Sequence, residues 1–421
     1  MTIRIIDSTS SRAVAALLDR RPGRDPLLQR RVASIVDRVR RDGDRALLSF
    51  ARKFDGLDGP IEISRKSIEE SAGHVPLEVR RAIQIAARNI RRVADKQRPR
   101  QWTFSPAPGV RISQRVLPLD RVGCYVPGGR YPLPSSLLMT ALPARAAGVA
   151  EIVAVCPKPD ATVLYAALEA GVTRLFRIGG AHAIAALAYG TSTIPRVDRI
   201  VGPGNAYVAA AKAYVAQECA IDFFAGPSEI AVVSSSGNAS WIAADLIAQA
   251  EHDPQARAIL FTPSKRLAEA VARAIREQCP TDGPARQSLA TSGGIVLTRS
   301  LEEAVSLMQR LAPEHAVCDS DAVASRLTRA GTVFVGSYSA QASGDYVTGS
   351  NHVLPTAGAA AARGGLSTAD FVRVSTVQRI TPDGLRRIGP PGIALAEAEG
   401  LKAHANSLRI RLARMRESRR R

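Results

Sequence analysis

The sequence predicts an α/β protein: two Rossmann-like parallel-sheet units, incomplete as nucleotide-binding folds, with an N-terminal helical region and a C-terminal helical arm. Two observations carry that expectation. From about residue 121, short β-branched runs alternate with helical runs, and the whole rhythm then repeats. On either side of this region the apolar residues fall at three- and four-residue spacing instead.

The N-terminal helices come first in chain order. The stretch P-L-L-Q-R-R-V-A-S-I-V-D-R-V carries an apolar stripe from residue 26 and should stop at Gly43. A longer amphipathic helix, P-L-E-V-R-R-A-I-Q-I-A-A-R-N-I-R-R-V-A, starts with a proline. The first α/β rhythm offers V-G-C-Y-V, E-I-V-A-V, R-L-F-R-I, R-I-V and A-I-D-F-F as strands. The second offers E-I-A-V-V, A-I-L-F-T, G-I-V-L-T, H-A-V and T-V-F-V, giving two five-strand units. Strand–helix alternation implies right-handed crossovers and parallel sheets, which bind ligands at the carboxyl ends of their strands. Beyond about residue 367, S-T-A-D-F-V-R-V and I-A-L-A-E-A-E-G-L-K-A-H-A-N-S-L-R-I-R-L read as a separate helical arm.

Composition narrows the function classes. Apolar residues make up 46% and charged residues 23%, as in globular rather than disordered chains. No run approaches the roughly 18 apolar residues that a membrane helix needs, and the N-terminus has no apolar signal segment. The cysteines, at 124, 156, 219, 279 and 318, form no C-x-x-C pair. They fit reduced thiols in the cytoplasm and argue against a thiolate metal site. A net charge of +19 raises the question of nucleic acid. The arginines are dispersed, however, and aromatics are only 5%, too few for stacking platforms. The one basic block is the tail R-I-R-L-A-R-M-R-E-S-R-R-R, read as solvated.

No G-x-G-x-x-G fingerprint is present. Glycine turns stand at strand ends instead: P-G-G beyond Tyr125, I-G-G-A-H before residue 184, and V-G-P-G-N at 201–205. Backbone amides there could face phosphate, although βα loops are rich in glycine in any case. Of the six histidines, His74 belongs to a loop of the N-terminal region; the others neighbour glycine turns, carboxylates or helix ends. In A-Q-A-E-H-D-P-Q-A, Gln249 and His252 are three apart on a helix that Pro254 should stop, so both share one face. Glu251 and Asp253 point off that face. Asp345 lies in a glycine-bounded loop with His352 seven residues on, and Glu399 and His404 lie five apart in the arm. Oxygen and imidazole without thiolate suit zinc, manganese or a similar divalent ion in an open site. Glu314 and His315, side by side, can activate water and move protons near neutral pH.

Taken together, G-C-Y-V-P-G-G, V-G-P-G-N-A-Y-V-A-A-A-K, A-G-P-S-E-I, Q-A-E-H-D-P-Q-A, A-P-E-H, G-D-Y-V-T-G-S-N-H-V-L-P-T and A-E-A-E-G-L-K-A-H-A resemble the histidinol dehydrogenase family, in order from about residue 25 to 411. The resemblance implies a cytoplasmic homodimer that binds neither nucleic acid nor membrane. It implies oxidation of L-histidinol to L-histidine through the aldehyde, with two NAD+ reduced and one zinc in each site. Carried over by position, Gln249, His252, Asp345 and His404 would hold zinc, and Glu314 and His315 would be catalytic. Ser228, His352 and Glu399 would contact substrate alongside Gln249, His252, His315, Asp345 and His404. Tyr125, His182 and Asn205 would line the dinucleotide site. The arm carrying Glu399 and His404 would reach into the partner's site.

The expected domains are an N-terminal segment, 1–25; a catalytic and metal domain, 26–120 with 229–366; a dinucleotide domain, 121–228; and a dimerisation arm with basic tail, 367–421. Four positions depart from the family's commonest pattern: His182 replaces glutamine, Phe223–Phe224 replaces a smaller or less aromatic pair, and Thr140 replaces asparagine. These departures keep a second expectation open, a paralogous zinc- and NAD-dependent dehydrogenase of another polyol or amino alcohol.

Overall fold

The computed structural model describes residues 3–19, 25–128, 132–223 and 226–417. The chain forms two compact units, one from Met1–Arg98 with Leu119–Phe371 and the other from Pro99–Pro118 with Val372–Arg421.

The larger unit is built on two six-stranded sheets. All ten strands expected from the α/β rhythm are present. The first sheet runs Ile5–Asp7, Gly294–Leu297, Arg257–Thr262, Glu229–Val233, His315–Cys318, Thr332–Val335, all parallel. The second runs Glu62–Ile63, Arg174–Phe176, Glu151–Val155, Arg121–Tyr125, Arg199–Val201, Ala220–Ile221, parallel except for the first. The central strands Glu229–Val233 and Arg257–Thr262 are buried at every residue. That is why they read as continuous apolar runs: helices cover both faces of a parallel sheet, so alternation disappears.

In both sheets the first strand of the rhythm lies in the middle, with the next two on one side and the last two on the other. The chain therefore reverses direction of growth beside Glu229–Val233 in one sheet and beside Arg121–Tyr125 in the other. Each sheet also gains a sixth, outer strand that the sequence pattern hides, because Ile5–Asp7 and Glu62–Ile63 are only three and two residues long.

The N-terminal helices do not join the 229–366 sheet, where the expected domain 26–120 placed them. Helix Pro26–Asp42, closed by Gly43, buries Val32, Val36 and Val39 in one cluster with Val153, Phe176 and Ile184 of the second sheet and its helices. Those covering helices, Gly180–Tyr189 and Ala206–Val215, are rich in alanine, so a valine stripe can approach closely.

The smaller unit corrects the reading of the arm as helical throughout. Trp102–Ala107, Val110–Pro118 and Val372–Ile380 form a three-stranded antiparallel sheet. The last strand, V-R-V-S-T-V-Q-R-I, is β-branched at alternate positions, a period of two that overrides the helical reading. Helices Pro382–Ala398 and Lys402–Glu417 then fold back on each other, with Gly389 against Leu412 and Gly392 against Leu408. Within the basic tail, residues 418–421 lie outside the described residues.

Candidate active site

Helix Ala239–Ala250 ends where Pro254 predicts, and its last turn carries Gln249. Gln249 is 1% exposed, and its Oε1 has no hydrogen-bond partner. A buried acceptor of this kind is costly unless something outside the chain satisfies it. His252 follows on the same face, exposed, with Nδ1 3.1 Å from Ala248 O, so Nε2 is the ring atom left to the site. Glu251 is exposed, and Asp253 accepts the Gln255 N–H at 2.7 Å; both stay off the shared face.

Asp345 arrives on the short helix Gln341–Tyr346, and its Oδ2 accepts a hydrogen bond from Gln341 Nε2 at 2.7 Å. Its Oδ1 faces His315 Nε2 at 3.7 Å. His352 is held by Nδ1 at 2.9 Å from Asp345 O. The same loop is tied across the unit: Asn351 Nδ2 donates to Met139 O at 2.7 Å, on the helix Pro134–Ala147 that follows Tyr125.

Glu314 and His315 sit at the start of strand His315–Cys318, both buried. Glu314 Oε2 accepts the Glu229 N–H at 2.9 Å, and the Ser228 hydroxyl also bonds this carboxyl. Burial drives the Glu314 carboxyl well above the usual range, and the charges of Glu229 and Asp345 push the same way. His315 Nδ1 lies 3.3 Å from Glu229 O and 3.8 Å from Glu314 Oε2. Its pKa is lowered to about 4, chiefly by burial and also by His352 and His252, against the pull of Asp345 and the Glu229 carbonyl. Burial likewise holds His352 below the ordinary histidine value.

Six of the expected residues thus converge, Ser228, His252, Glu314, His315, Asp345 and His352, with Gln249 on the helix turn that leads into His252. Their position differs from the carboxyl-edge expectation. Glu314–His315 and Ser228 stand at the amino ends of the first sheet's central strands, and Gln249–His252 ends a helix that returns there. At the carboxyl edge of that sheet, residues including Asn238, Trp241, Asp245 and Asp319 line a cavity of about 40 Å³. That is room for roughly one water, far below the volume of a dinucleotide site.

In the second sheet the residues expected to line a dinucleotide site follow the carboxyl ends of strands. Tyr125 ends the central strand, and its hydroxyl accepts the Gly180 N–H at 3.1 Å. Asn205 caps helix Ala206–Val215 by accepting from Tyr207 N and Val208 N. Gly202, at φ +117°, lets the V-G-P-G-N turn approach Tyr125; a Cβ there would lie 2.2 Å from Tyr125 O. His182 is 2% exposed, with Nε2 2.7 Å from Asp55 Oδ2. Asp55 Oδ2 also accepts the Gly179 N–H at 3.0 Å. Of the other departures, Thr140 turns inward to donate to Ser136 O and Leu137 O. Phe223 is buried beneath the Arg363 guanidinium, and Phe224 lies outside the described residues.

Glu399 and His404 belong to the smaller unit, where Glu399 caps one helix and His404 is exposed in the first turn of the next. Among the described residues, no cluster of three His, Cys, Asp or Glu side chains has the arrangement of a metal site. Sequence reasoning passed over three site residues. Glu229, 2% exposed and raised to about 7 by burial, adjoins Glu314; Gln341 holds Asp345; Asp55 holds His182. Glu229 alone had a signal, being the last polar residue of A-G-P-S-E-I.

Comparison with known proteins shows the family. The family model for histidinol dehydrogenase matches residues 19–412. The chain is 43% identical to the histidinol dehydrogenase of Brucella suis, over 98% of this chain and 99% of that protein. It is 46% identical to that of Gluconobacter oxydans, over 94% and 96%. The crystal structure of histidinol dehydrogenase from Elizabethkingia anophelis superposes with a TM-score of 0.94 at 32% identity, covering 98% of this chain and 99% of that one. Near-complete coverage in all three comparisons places the protein in the histidinol dehydrogenase family.

Proposed function

We propose that the protein oxidises L-histidinol to L-histidine through L-histidinaldehyde, reducing two NAD+ and depending on zinc, as the last step of histidine biosynthesis. The observation that carries the zinc is the donor set. Gln249 Oε1 is buried without a partner. His252 has Nδ1 tied to Ala248 O, and Asp345 has Oδ2 tied to Gln341. His252 and Asp345 thus each keep one atom for a metal while the other is fixed, the usual way a protein orients its ligands, and Gln249 offers a buried acceptor that nothing in the chain satisfies. These three residues and the partner subunit's His404 would hold the ion. Zinc, when bound, supplies a Lewis acid that orients the substrate alcohol and amine.

The chain's own groups then divide the proton work. His315 is neutral above about pH 4, so Nε2 can take the hydroxyl proton while Nδ1 stays turned to Glu229 O. Glu314, held by Glu229 N–H and Ser228, has a carboxyl that burial raises well above the usual range, a stronger base suited to deprotonating the water that adds to the aldehyde. His352 Nε2, freed by the Asp345 O contact at Nδ1, faces substrate, with Glu399 pairing its ammonium or imidazole. Tyr125, His182 and Asn205 line the dinucleotide site, NAD+ supplying the electron acceptor when bound. The assembly is a homodimer whose arms are exchanged. Five free cysteines fit a reducing cytoplasm, and no helix of the described residues is long and apolar enough to cross a membrane.

The test is stoichiometry. Purified protein with zinc, excess NAD+ and limiting L-histidinol should release two NADH per histidinol consumed, read by absorbance. No NADH from histidinol, with turnover of another amino alcohol or diol, would overturn the substrate and favour the paralogous dehydrogenase.

A further inference from the structure

We propose that Gln341 is a positioning residue that sets Asp345 for the metal, an inference resting on the reading of Asp345 as a ligand. Gln341 is fully buried, at 0% exposure, and stands four residues before Asp345 in the Gln341–Tyr346 helix. That spacing brings the two side chains together on one face. The 2.7 Å bond runs from the amide Nε2 to Asp345 Oδ2, leaving Oδ1 toward His315 and the open side of the site.

The orientation of the amide is not arbitrary. Turning it over would set Oε1 against a carboxylate oxygen, acceptor against acceptor. In the orientation adopted, Oε1 has no partner. Leaving a buried acceptor unsatisfied is costly, so the donation to Asp345 must outweigh it. Gln341 is anchored at its backbone as well, because its N–H bonds the Asp245 carboxylate. Asp245 lies one turn before Gln249 on helix Ala239–Ala250. The link Asp245–Gln341–Asp345 therefore ties the helix bearing Gln249 to the helix bearing Asp345. It fixes their spacing before any ion enters, which is preorganisation of the ligand set.

The experiment is zinc titration of the metal-stripped full chain against a chromogenic chelator, with thermal melting of the same apo samples. Gln341→Met keeps the bulk and removes the donor; Gln341→Asn keeps an amide too short to reach Asp345. Both should weaken zinc binding about 10- to 100-fold, while their apo melting points stay close to wild type. Zinc affinity within twofold of wild type in the folded variants would overturn the proposal. So would a large drop in melting point with affinity unchanged, which marks a merely structural role. Asp345→Asn separates the two readings. If it loses zinc while both Gln341 variants bind normally, only the positioning role fails. If it binds zinc as wild type does, Asp345 is not a ligand and the underlying reading fails.

Discussion

His315, the proposed base, is almost wholly buried. Its ring is pinned between backbone and carboxylate, Nδ1 toward Glu229 O and Nε2 toward Asp345 Oδ1. Desolvation of the cation holds the pKa near 4, so the free base is present across the physiological range. A neutral imidazole that donates through Nδ1 has its Nε2 lone pair ready to accept. His315→Asn should therefore cut kcat for histidinol about 10²- to 10⁴-fold, the usual worth of a positioned base, with zinc content unchanged. Steady-state NADH formation and metal analysis on one preparation check this; loss of zinc in parallel would make His315 part of the ligand set instead. At this scale the sequence was informative wherever chemistry follows residue type and near spacing. Gln249 with His252, and Glu314 with His315, could be singled out because a helix turn or adjacency joins them. Asp55 could not, because its partner His182 is far away in sequence, and Gln341 could not, because the glycine-bounded stretch around Asp345 read as a loop rather than the helix Gln341–Tyr346.

The elements explain why the proposed catalytic groups gather at the amino edge of the first sheet. Strand Thr332–Val335 ends at the carboxyl edge, and helix Gln341–Tyr346 runs back to deliver Asp345 beside His315. It packs this closely because residue 344 is glycine: a Cβ there would lie 2.5 Å from the Phe334 ring, itself 6.1 Å from the His315 ring. Gly344→Ala should therefore push the helix off the strand, costing about 1–3 kcal/mol as overpacking does, and weaken zinc binding by moving Asp345. Phe334→Leu in the same chain should recover part of both losses. Melting curves and zinc titration of the single and double mutants decide it; additive losses would show that the contact at 344 is not the cause. The strands of both sheets were legible because fully buried parallel strands are apolar throughout. The edge on which chemistry sits was not. That choice depends on loops and a returning helix whose course no local period encodes. The antiparallel sheet of the smaller unit was also hidden, its strands Val110–Pro118 and Val372–Ile380 lying over two hundred and fifty residues apart.

At the scale of the molecule, the ligand set and the chain's division into units pull apart. Three proposed ligands belong to the larger unit, while His404 and Glu399 stand on the helical hairpin of the smaller one. Periodicity could suggest a detached arm but not its destination; only the family resemblance supplied the fourth ligand and the exchange between subunits. Exchange has a consequence that a self-contained site lacks. Let one subunit carry Glu314→Gln and another His404→Asn, each inactive as its own homodimer. If arms are exchanged, a mixed dimer has one site bearing both lesions and one bearing neither. Random mixing makes half the dimers mixed, so refolding the two variants together should restore about one quarter of wild-type activity. If each arm serves its own body, every site keeps one lesion and mixing restores nothing. Activity after co-refolding, compared with each variant refolded alone, distinguishes the two arrangements, and an absence of rescue would remove the exchanged arm from the proposal.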